Sequence, residues 1–460
     1  MVALHPLPSE PASLDPSIPD ADLVVALPVD AVLDPDGAAF LLERAAADPA
    51  DAWFGDLVVG GRVHRRTAWS PTRLLTDPLA AGPLAVRAGW LRAHGIGPAA
   101  AELPFLLART GADVVHLTVA LTRHGSPPGP VDPSTIAGHL AALGIPAVLD
   151  PTGRLQPDPS FAPEVSIIVP SAGATLPDGT VAAHRLVERL GPRPDRIDVV
   201  FVIGDEFRGD PAALEGPGRT VVRRPSGPFN FSSAVNLGVL HSRADHVLLL
   251  NDDTEPDGTQ FVDRMGLHLV DASVGAVGAL LTYPDGTVQH AGVVIDDARP
   301  LHPFVGRDPG DIVVHGGLLA REVIAVTGGC LMMRRADFLA VGGLSTAFPL
   351  SFNDIDLCIR VQRAVGRVVV EPMATLVHHE TLSREPVITA EEWDRWIGRW
   401  GEIVVSWYHP GHRRPDDPHR LARNADHLEP GPDDPTPQPQ ARRPRLRSRV
   451  HRGRPGSPGV

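Results

Sequence analysis

The chain has 460 residues, 43% of them hydrophobic, and a formal net charge of −13, enough for two or three domains with real cores. The acidic balance argues against nucleic acid as a partner. No apolar run reaches the roughly 18 residues of a bilayer span, and Met1 to Pro19 lacks a basic-then-apolar leader, so a cytoplasmic protein is expected.

Residues 1–20 are Pro-rich and are expected to be disordered. From Ala21 to 125 the pattern is α/β-like: Leu23 to Leu27 and Trp53 to Val59 read as strands, Gly37 to Ala47 as a helix, and Leu103 to Ala108 and Val114 to Val119 continue the alternation. Residues 126–163 read as a linker containing a short helix from Ser134 to Leu143. A second α/β unit is expected over 164–410. Val165 to Pro170 and Asp198 to Ile203 read as buried strands separated by a helix over Ala182 to Leu190, a pattern of parallel strands with crossover helices. Ser232, in Pro228 to Gly238, is the expected cap of the next helix.

Val247 to Leu250 then forms a short all-apolar run that ends in Asn251-Asp252-Asp253. Acids at a strand's carboxyl end lie where open α/β sheets bind ligands, and clustered carboxylates suit a hard cation carrying a diphosphate. The plainer reading is a polar turn after a core strand. Both cysteines, Cys330 and Cys358, stand alone and read as core residues. Trp393, Trp396, Trp400 and Trp407 fall in a helical stretch, the first three on one face, which is more often a packing face than a sugar platform. Residues 411–460 are rich in Pro and Arg and are expected to be a disordered tail. Arg442 to Arg454 reads as a solvated segment by default and, more sharply, as a peripheral contact with anionic lipid at the inner face of the membrane.

Five blocks in order carry a resemblance: GPFNFSSAVNLGVLHSRADHVLLLNDDTEP, VGAVGALLTYPDGTVQHAGVVI, VTGGCLMMRRADFLAVGG, FNDIDLCIRVQ and LVHHETLSRE. Together they resemble family 2 glycosyltransferases of the GT-A fold, in particular bacterial enzymes of surface polysaccharide synthesis, including rhamnosyltransferases. The resemblance runs from about Val165 to Pro410.

The resemblance implies a Rossmann-like GT-A domain and a metal-dependent, inverting transfer from a UDP- or dTDP-sugar, rhamnose by analogy, to a cell-envelope glycan or lipid-linked glycan. It implies Mn²⁺ or Mg²⁺ as cofactor, with the Asp-x-Asp motif on Asn251-Asp252-Asp253. Asp253 is then the metal ligand and Asn251 or Asp252 faces the nucleotide. A histidine returns to the metal at His378-His379, and His378 is favoured because it directly follows the apolar run Ala374 to Val377. Asp354 matches the general base that takes the acceptor's proton; its alternative is a helix-start charge favoured by the dipole. Asp356, Arg360, Gly328, Gly329 and His290 are candidates for the donor or acceptor sugar, although Arg360 at i+4 from Asp356 could equally be an intrahelical pair.

Pro170, Ser171, Asp205 and Asn236 are candidates for the nucleotide, with Asp205 a displaced equivalent of the acid that usually ends the second strand. Residues 21–125 look like the back half of another such transferase, as in tandem-domain relatives. There the metal motif reads Pro28-Val29-Asp30, the base motif Glu102-Leu103-Pro104-Phe105, and the returning histidine Arg123-His124. That unit is read as a degenerate remnant. The competing reading of the whole chain is a non-catalytic scaffold that keeps the fold, motivated by Asn251, by the loops Ser171 to Ala174 and Ile203 to Glu206, which depart from the family's pattern, and by the degenerate first unit.

Overall fold

The computed structural model describes residues 2–402 and 448–451, apart from 8–13, 28–29, 65, 67, 78–81, 95–100, 126–128, 151–153, 193, 297, 313–317 and 381–387. The chain divides into two compact units that meet between Ala142 and Leu143, inside the predicted linker.

The first unit contains β1 (Leu4–Pro6), β2 (Leu23–Ala26), β3 (Ala31–Leu33), α1 (Pro35–Ala47), β4 (Ala52–Val59), β5 (Arg62–His64), β6 (Leu84–Arg87), α2 (Ala88–Ala93), α3 (Leu103–Thr110) and β7 (Val114–His124). β2 and β4 are buried along their whole lengths, which fits the apolar character of β2 and of β4 on either side of Asp56. Helix α1 starts where it does because the Asp34 side chain accepts from Gly37 N–H and Pro35 fills the first turn. The strand order is β1-β2-β6-β4-β7, with β3 antiparallel to β7 and β5 antiparallel to β4.

Two expectations are corrected here. Leu4–Pro6, inside the segment expected to be disordered, pairs parallel with β2. It is tied by Ala3 N–H to Asp22 Oδ1 at 3.0 Å and by His5 Nε2 to Asp22 Oδ2 at 2.8 Å, contacts too distant in sequence for a local pattern to show. Ser448–His451, inside the expected disordered tail, pairs parallel with β7; the rest of residues 411–460 and Trp407 lie outside the described residues.

After α4 (Pro133–Leu143), the second unit opens with the hairpin β8 (Ala147–Leu149) and β9 (Leu155–Pro157). Its sheet is built from β10 (Val165–Ser171), β11 (Ile197–Ile203), β12 (Arg219–Arg223), β13 (His246–Leu250), β14 (Thr254–Glu255), β15 (Val274–Thr282), β16 (Val288–His290), β19 (Arg321–Val323), β20 (Cys330–Arg334) and β21 (Arg367–His378). A separate hairpin joins β17 (Val294–Asp296) to β18 (Arg299–Leu301). The helices are α5 (Ala182–Leu190), α6 (Phe231–His241), α7 (Gln260–His268), α8 (Pro309–Ile312), α9 (Arg335–Ala340), α10 (Asn353–Ala364) and α11 (Ala390–Trp400).

The main order is β12-β11-β10-β13-β20-β15-β21-β14. β12, β11, β10 and β13 run parallel, β20 is antiparallel to both of its neighbours, and β15 and β21 are parallel again. β10 is flanked by β11 on one side and β13 on the other, so the strand order reverses between β10 and β13. A crevice at such a reversal is where open α/β sheets bind ligands. Helix α6 lies directly on β10, since a Cβ at Gly238 would come within 2.4 Å of Ile168 Cγ2. Its cap is Asn230, whose Oδ1 accepts from Ser233 N–H at 2.8 Å; the expected cap, Ser232, is buried and donates to Phe348 C=O at 2.6 Å.

Candidate active site

β10 and β13 end side by side, and their ends are bridged: Ser171 Oγ donates to Asp252 Oδ2 at 2.5 Å and accepts from Gly173 N–H at 3.0 Å. Pro170 is buried within the strand, so Ser171 is the residue that reaches the edge. Burial, and secondarily the neighbouring charge of Asp253, push the Asp252 carboxyl up to about 7; the Ser171 hydroxyl opposes the shift.

Asp253 faces the returning strand β21. Its Oδ1 lies 3.1 Å from His378 Nε2, both side chains being buried. Gln289 fixes the histidine's tautomer. Its amide nitrogen donates to His378 C=O at 3.3 Å and to Glu380 Oε2 at 3.1 Å, which turns Gln289 Oε1 toward His378 Nδ1 at 2.6 Å. Nδ1 therefore carries the hydrogen, and the Nε2 lone pair points at the Asp253 carboxylate. Asn251 Nδ2 stands 3.1 Å from the same Nε2. His379 turns away to Glu255 at 2.9 Å, in a group completed by Arg189.

Asp354 sits in the first turn of α10, behind Phe352, whose φ of 65° places the chain in the left-handed region. Gly328 N–H donates to Asp354 Oδ2 and Ile355 N–H to Oδ1, each at 2.8 Å. The carboxylate is thereby aimed by two backbone donors. The next residue of the turn, Gly329, accepts from Asn251 N–H through its carbonyl at 3.1 Å. One short turn therefore connects Asp354 to the acidic strand end. Gly328 is not sterically required, since a Cβ there would meet its neighbours no closer than 3.6 Å.

Four expected site residues serve other purposes. Asp356 is fully buried: its Oδ2 takes Arg360 Nε at 2.9 Å and its Oδ1 takes Trp400 Nε1 at 2.9 Å, so it has no surface to offer a sugar. Arg360 spends its remaining hydrogens on Val341 and Gly343 carbonyls at 2.5 and 2.8 Å. Asn236 is a pin, its amide bonded both ways to the Leu344 backbone at 2.8 and 2.9 Å. His290 is buried beneath the site, so it makes no direct acceptor contact. Asp205 is exposed at the end of β11 and accepts from Ser226 Oγ at 2.6 Å.

Helix α11 holds the Asp354 segment. Glu392 Oε1 accepts from Leu350 and Ser351 N–H at 3.2 and 2.8 Å, and the Trp396 ring stacks on Phe352 with centroids 5.0 Å apart. The tryptophan face is thus a packing face. Gln289, Glu380 and Glu392 are the residues the sequence reading passed over. Gln289 sits inside the hexapeptide that named His290, but its partner lies 89 residues away, beyond any local signal. Glu380 carries one clue visible only in three dimensions, a φ of 38° that non-glycine residues rarely adopt.

No family model matches the chain. It is 40% identical over 190 residues to the uncharacterized protein y4gI of Sinorhizobium fredii, covering 39% of this chain and 20% of that one. It is 28% identical over 404 residues to the O-antigen biosynthesis protein RfbC of Myxococcus xanthus, covering 77% and 31%. It is 30% identical over 158 residues to the N-acetylglucosaminyl-diphospho-decaprenol L-rhamnosyltransferase of Mycobacterium tuberculosis, covering 31% and 50%. Over those 158 residues the chain is similar in sequence to a rhamnosyltransferase. It spans between a fifth and a half of the length of these curated relatives. Among the described residues no group of three or more His, Cys, Asp or Glu is arranged to hold a metal by itself, and no helix is long and apolar enough to cross a membrane.

Proposed function

We propose that the chain is an inverting glycosyltransferase that moves a sugar from a UDP- or dTDP-sugar to a cell-envelope glycan or lipid-linked acceptor. The observation that supports this best is the Thr327–Gly329 turn, which gives Gly328 N–H to Asp354 and takes Asn251 N–H on Gly329, linking a base to a diphosphate site. An acceptor hydroxyl is far too weak an acid to ionise at neutral pH, so a positioned carboxylate must take its proton as the oxygen attacks the anomeric carbon. Asp354, aimed by two N–H donors, is that carboxylate. The named rhamnosyltransferase relative makes a rhamnose donor and an N-acetylglucosaminyl diphospholipid acceptor the first pair to test.

Asp253 and His378 fit a hard divalent cation that takes its other ligands from water and diphosphate oxygens. Mn²⁺ or Mg²⁺ there would neutralise charge on the departing nucleoside diphosphate. Ser171 and Asp252 line the same crevice for the nucleotide, and Asp205 stands at the tip of the neighbouring strand.

One observation favours a non-catalytic scaffold: Asn251 replaces an acid and lays its amide against the His378 lone pair. Thermal shifts with UDP and dTDP, with and without Mn²⁺, separate the two readings, since a scaffold shows no metal-dependent shift. Release of nucleoside diphosphate from a donor panel, in the presence of a short-chain N-acetylglucosaminyl diphospholipid, tests the reaction itself. Absence of release from every donor would refute it.

A further inference from the structure

The Thr327–Gly329 turn makes one bond that the chemistry above leaves unused. Thr327 N–H donates to His290 Nε2 at 3.3 Å, and Gly292 N–H donates to the same atom at 3.3 Å. His290 is only 1% exposed, and burial holds its pKa well below the usual histidine value, so the ring is neutral. With Nε2 accepting, its hydrogen must sit on Nδ1, which faces His302 Nδ1 at 3.0 Å. His302 then accepts at Nδ1 and carries its own hydrogen on Nε2.

That second N–H has no hydrogen-bond partner among the described residues, and the His302 side chain is exposed. The acids whose charges reach it are Asp354 and Glu380; Asp252 and Asp253, which mark the diphosphate side, are not among them. The hairpin before it is also fixed. Its turn residue Ala298, with φ of 62°, accepts from Trp396 Nε1 at 2.6 Å, and Trp396 is the ring that stacks on Phe352 ahead of Asp354. One backbone turn and one tryptophan therefore set His302 and Asp354 together. A neutral N–H donor suits a hydroxyl or amide oxygen better than a phosphate, which recruits cations and charge-assisted donors.

We propose that His302 binds the acceptor sugar, donating its Nε2 hydrogen to an oxygen beside Asp354, and that His290 is the positioning residue that fixes its tautomer. The inference rests on the transferase reading and assigns one side of the site to the acceptor.

The test uses the full chain with ¹⁵N-labelled histidine, UDP or dTDP with Mg²⁺, and a short-chain N-acetylglucosaminyl diphospholipid as the acceptor probe. Resonances of His302 are identified by their loss in His302→Gln. The expected results are a neutral Nε2–H tautomer that is lost in His290→Phe, and a shift of that nitrogen on addition of the probe. In turnover, His302→Ala should raise KM for the probe roughly 3- to 10-fold, the effect of one neutral hydrogen bond, with nucleotide affinity unchanged. His302→Gln, which keeps an N–H, should recover part of the loss. A hydrogen on Nδ1, an unmoved resonance at saturating probe, or weakened nucleotide binding in His302→Ala would overturn the assignment. A chain that binds no nucleotide at all fails the transferase reading first, and this inference with it.

Discussion

The two units share a run of strand pairings, and the sheet of the second continues further. In the first, β1-β2-β6-β4-β7 is extended by β3 and β5; in the second, β10-β13-β20-β15-β21 is extended by β14 and β16. The directions agree pair by pair: parallel for β1/β2 and β10/β13, antiparallel for β2/β6 and β13/β20, parallel for β4/β7 and β15/β21. Even the returning histidines share a register, His124 opposite Ala31 and His378 opposite Thr254. This supports reading the first unit as a partial copy. The first sheet stops at β1, where the second continues with β11 and β12.

The metal position of the first unit is less degraded than its sequence suggests. Asp30 precedes β3 as Asp253 precedes β14, and its charge still acts on His124. However, His124 Nε2 meets Thr122 Oγ1 at 2.9 Å instead of a carboxylate. At the start of α3 the residue matching Asp354 is Pro104, and the buried interior is occupied by Asp56, which takes Arg66 N–H at 2.8 Å and His116 Nε2 at 3.2 Å. The first unit has a buried core of its own but lacks the front strands and the helix-start acid that the proposed chemistry uses.

The largest expected effect is Asp354→Asn, which keeps the side chain's shape and one of its two backbone N–H bonds but not basicity. Turnover should fall by about 10²- to 10⁴-fold with nucleotide affinity intact; full activity in a single-turnover assay would sink the base assignment. Next, Asp253→Ala should abolish Mn²⁺-dependent nucleotide binding by calorimetry, His378→Ala should weaken it less, and Asp30→Ala should leave it untouched. An effect of Asp30→Ala equal to that of Asp253→Ala would end the contrast between the units.

Smaller still, Asp356→Ala strands the buried Arg360 guanidinium and should cost on the order of 3–5 kcal/mol in chemical denaturation. Asp56→Ala should cost a similar amount through Arg66 and His116, because both acids are structural. A stable Asp356→Ala that fails only in turnover would return Asp356 to the site.

The last effect is a pH dependence that comes from Asp252 in the second unit. Asp252 stands at about 7 in the folded chain against an ordinary 3.8, so between those values the folded state holds more proton than the unfolded one. The contribution of Asp252 to the stability of the metal-free protein should therefore decline as pH rises from about 4 to about 7, against an opposite contribution from buried histidines such as His116 and His290, whose lowered values favour the folded chain as pH rises. Asp252→Asn should flatten this part of the profile, as measured by urea midpoints.

The front half of the second unit was legible because β10, β11 and β13 are short apolar runs separated by helix and turn signals, and each is buried on both faces. The positions of Asp253 at a strand end and Asp354 in the first turn of a helix were legible because both follow local patterns, whereas the roles proposed for them rest on the reading of the site. Asp356 and Asn236 were misplaced because burial and partners 44 and 108 residues away decide their roles. Gln289 and His302 were missed for the same reason: their meaning lies in a tautomer passed between elements, which no spacing rule encodes. β1 was missed because Pro6 and its surrounding prolines outweighed three strand residues whose anchor, Asp22, lies far along the chain.

Helix α11 carries no residue proposed to touch substrate, yet Glu392, Trp396 and Trp400 grip the loop before Asp354, the ring of Phe352 and the carboxylate of Asp356. Every motif that marks the transferase lies upstream of it. A shortened clone ending at the last of the five blocks would keep all of them and would still lack the support that keeps Asp354 aimed. Fragments of this kind of chain are therefore better designed from the far side of the tryptophan helix, and inactivity in a shorter one reports on its boundary before it reports on its chemistry.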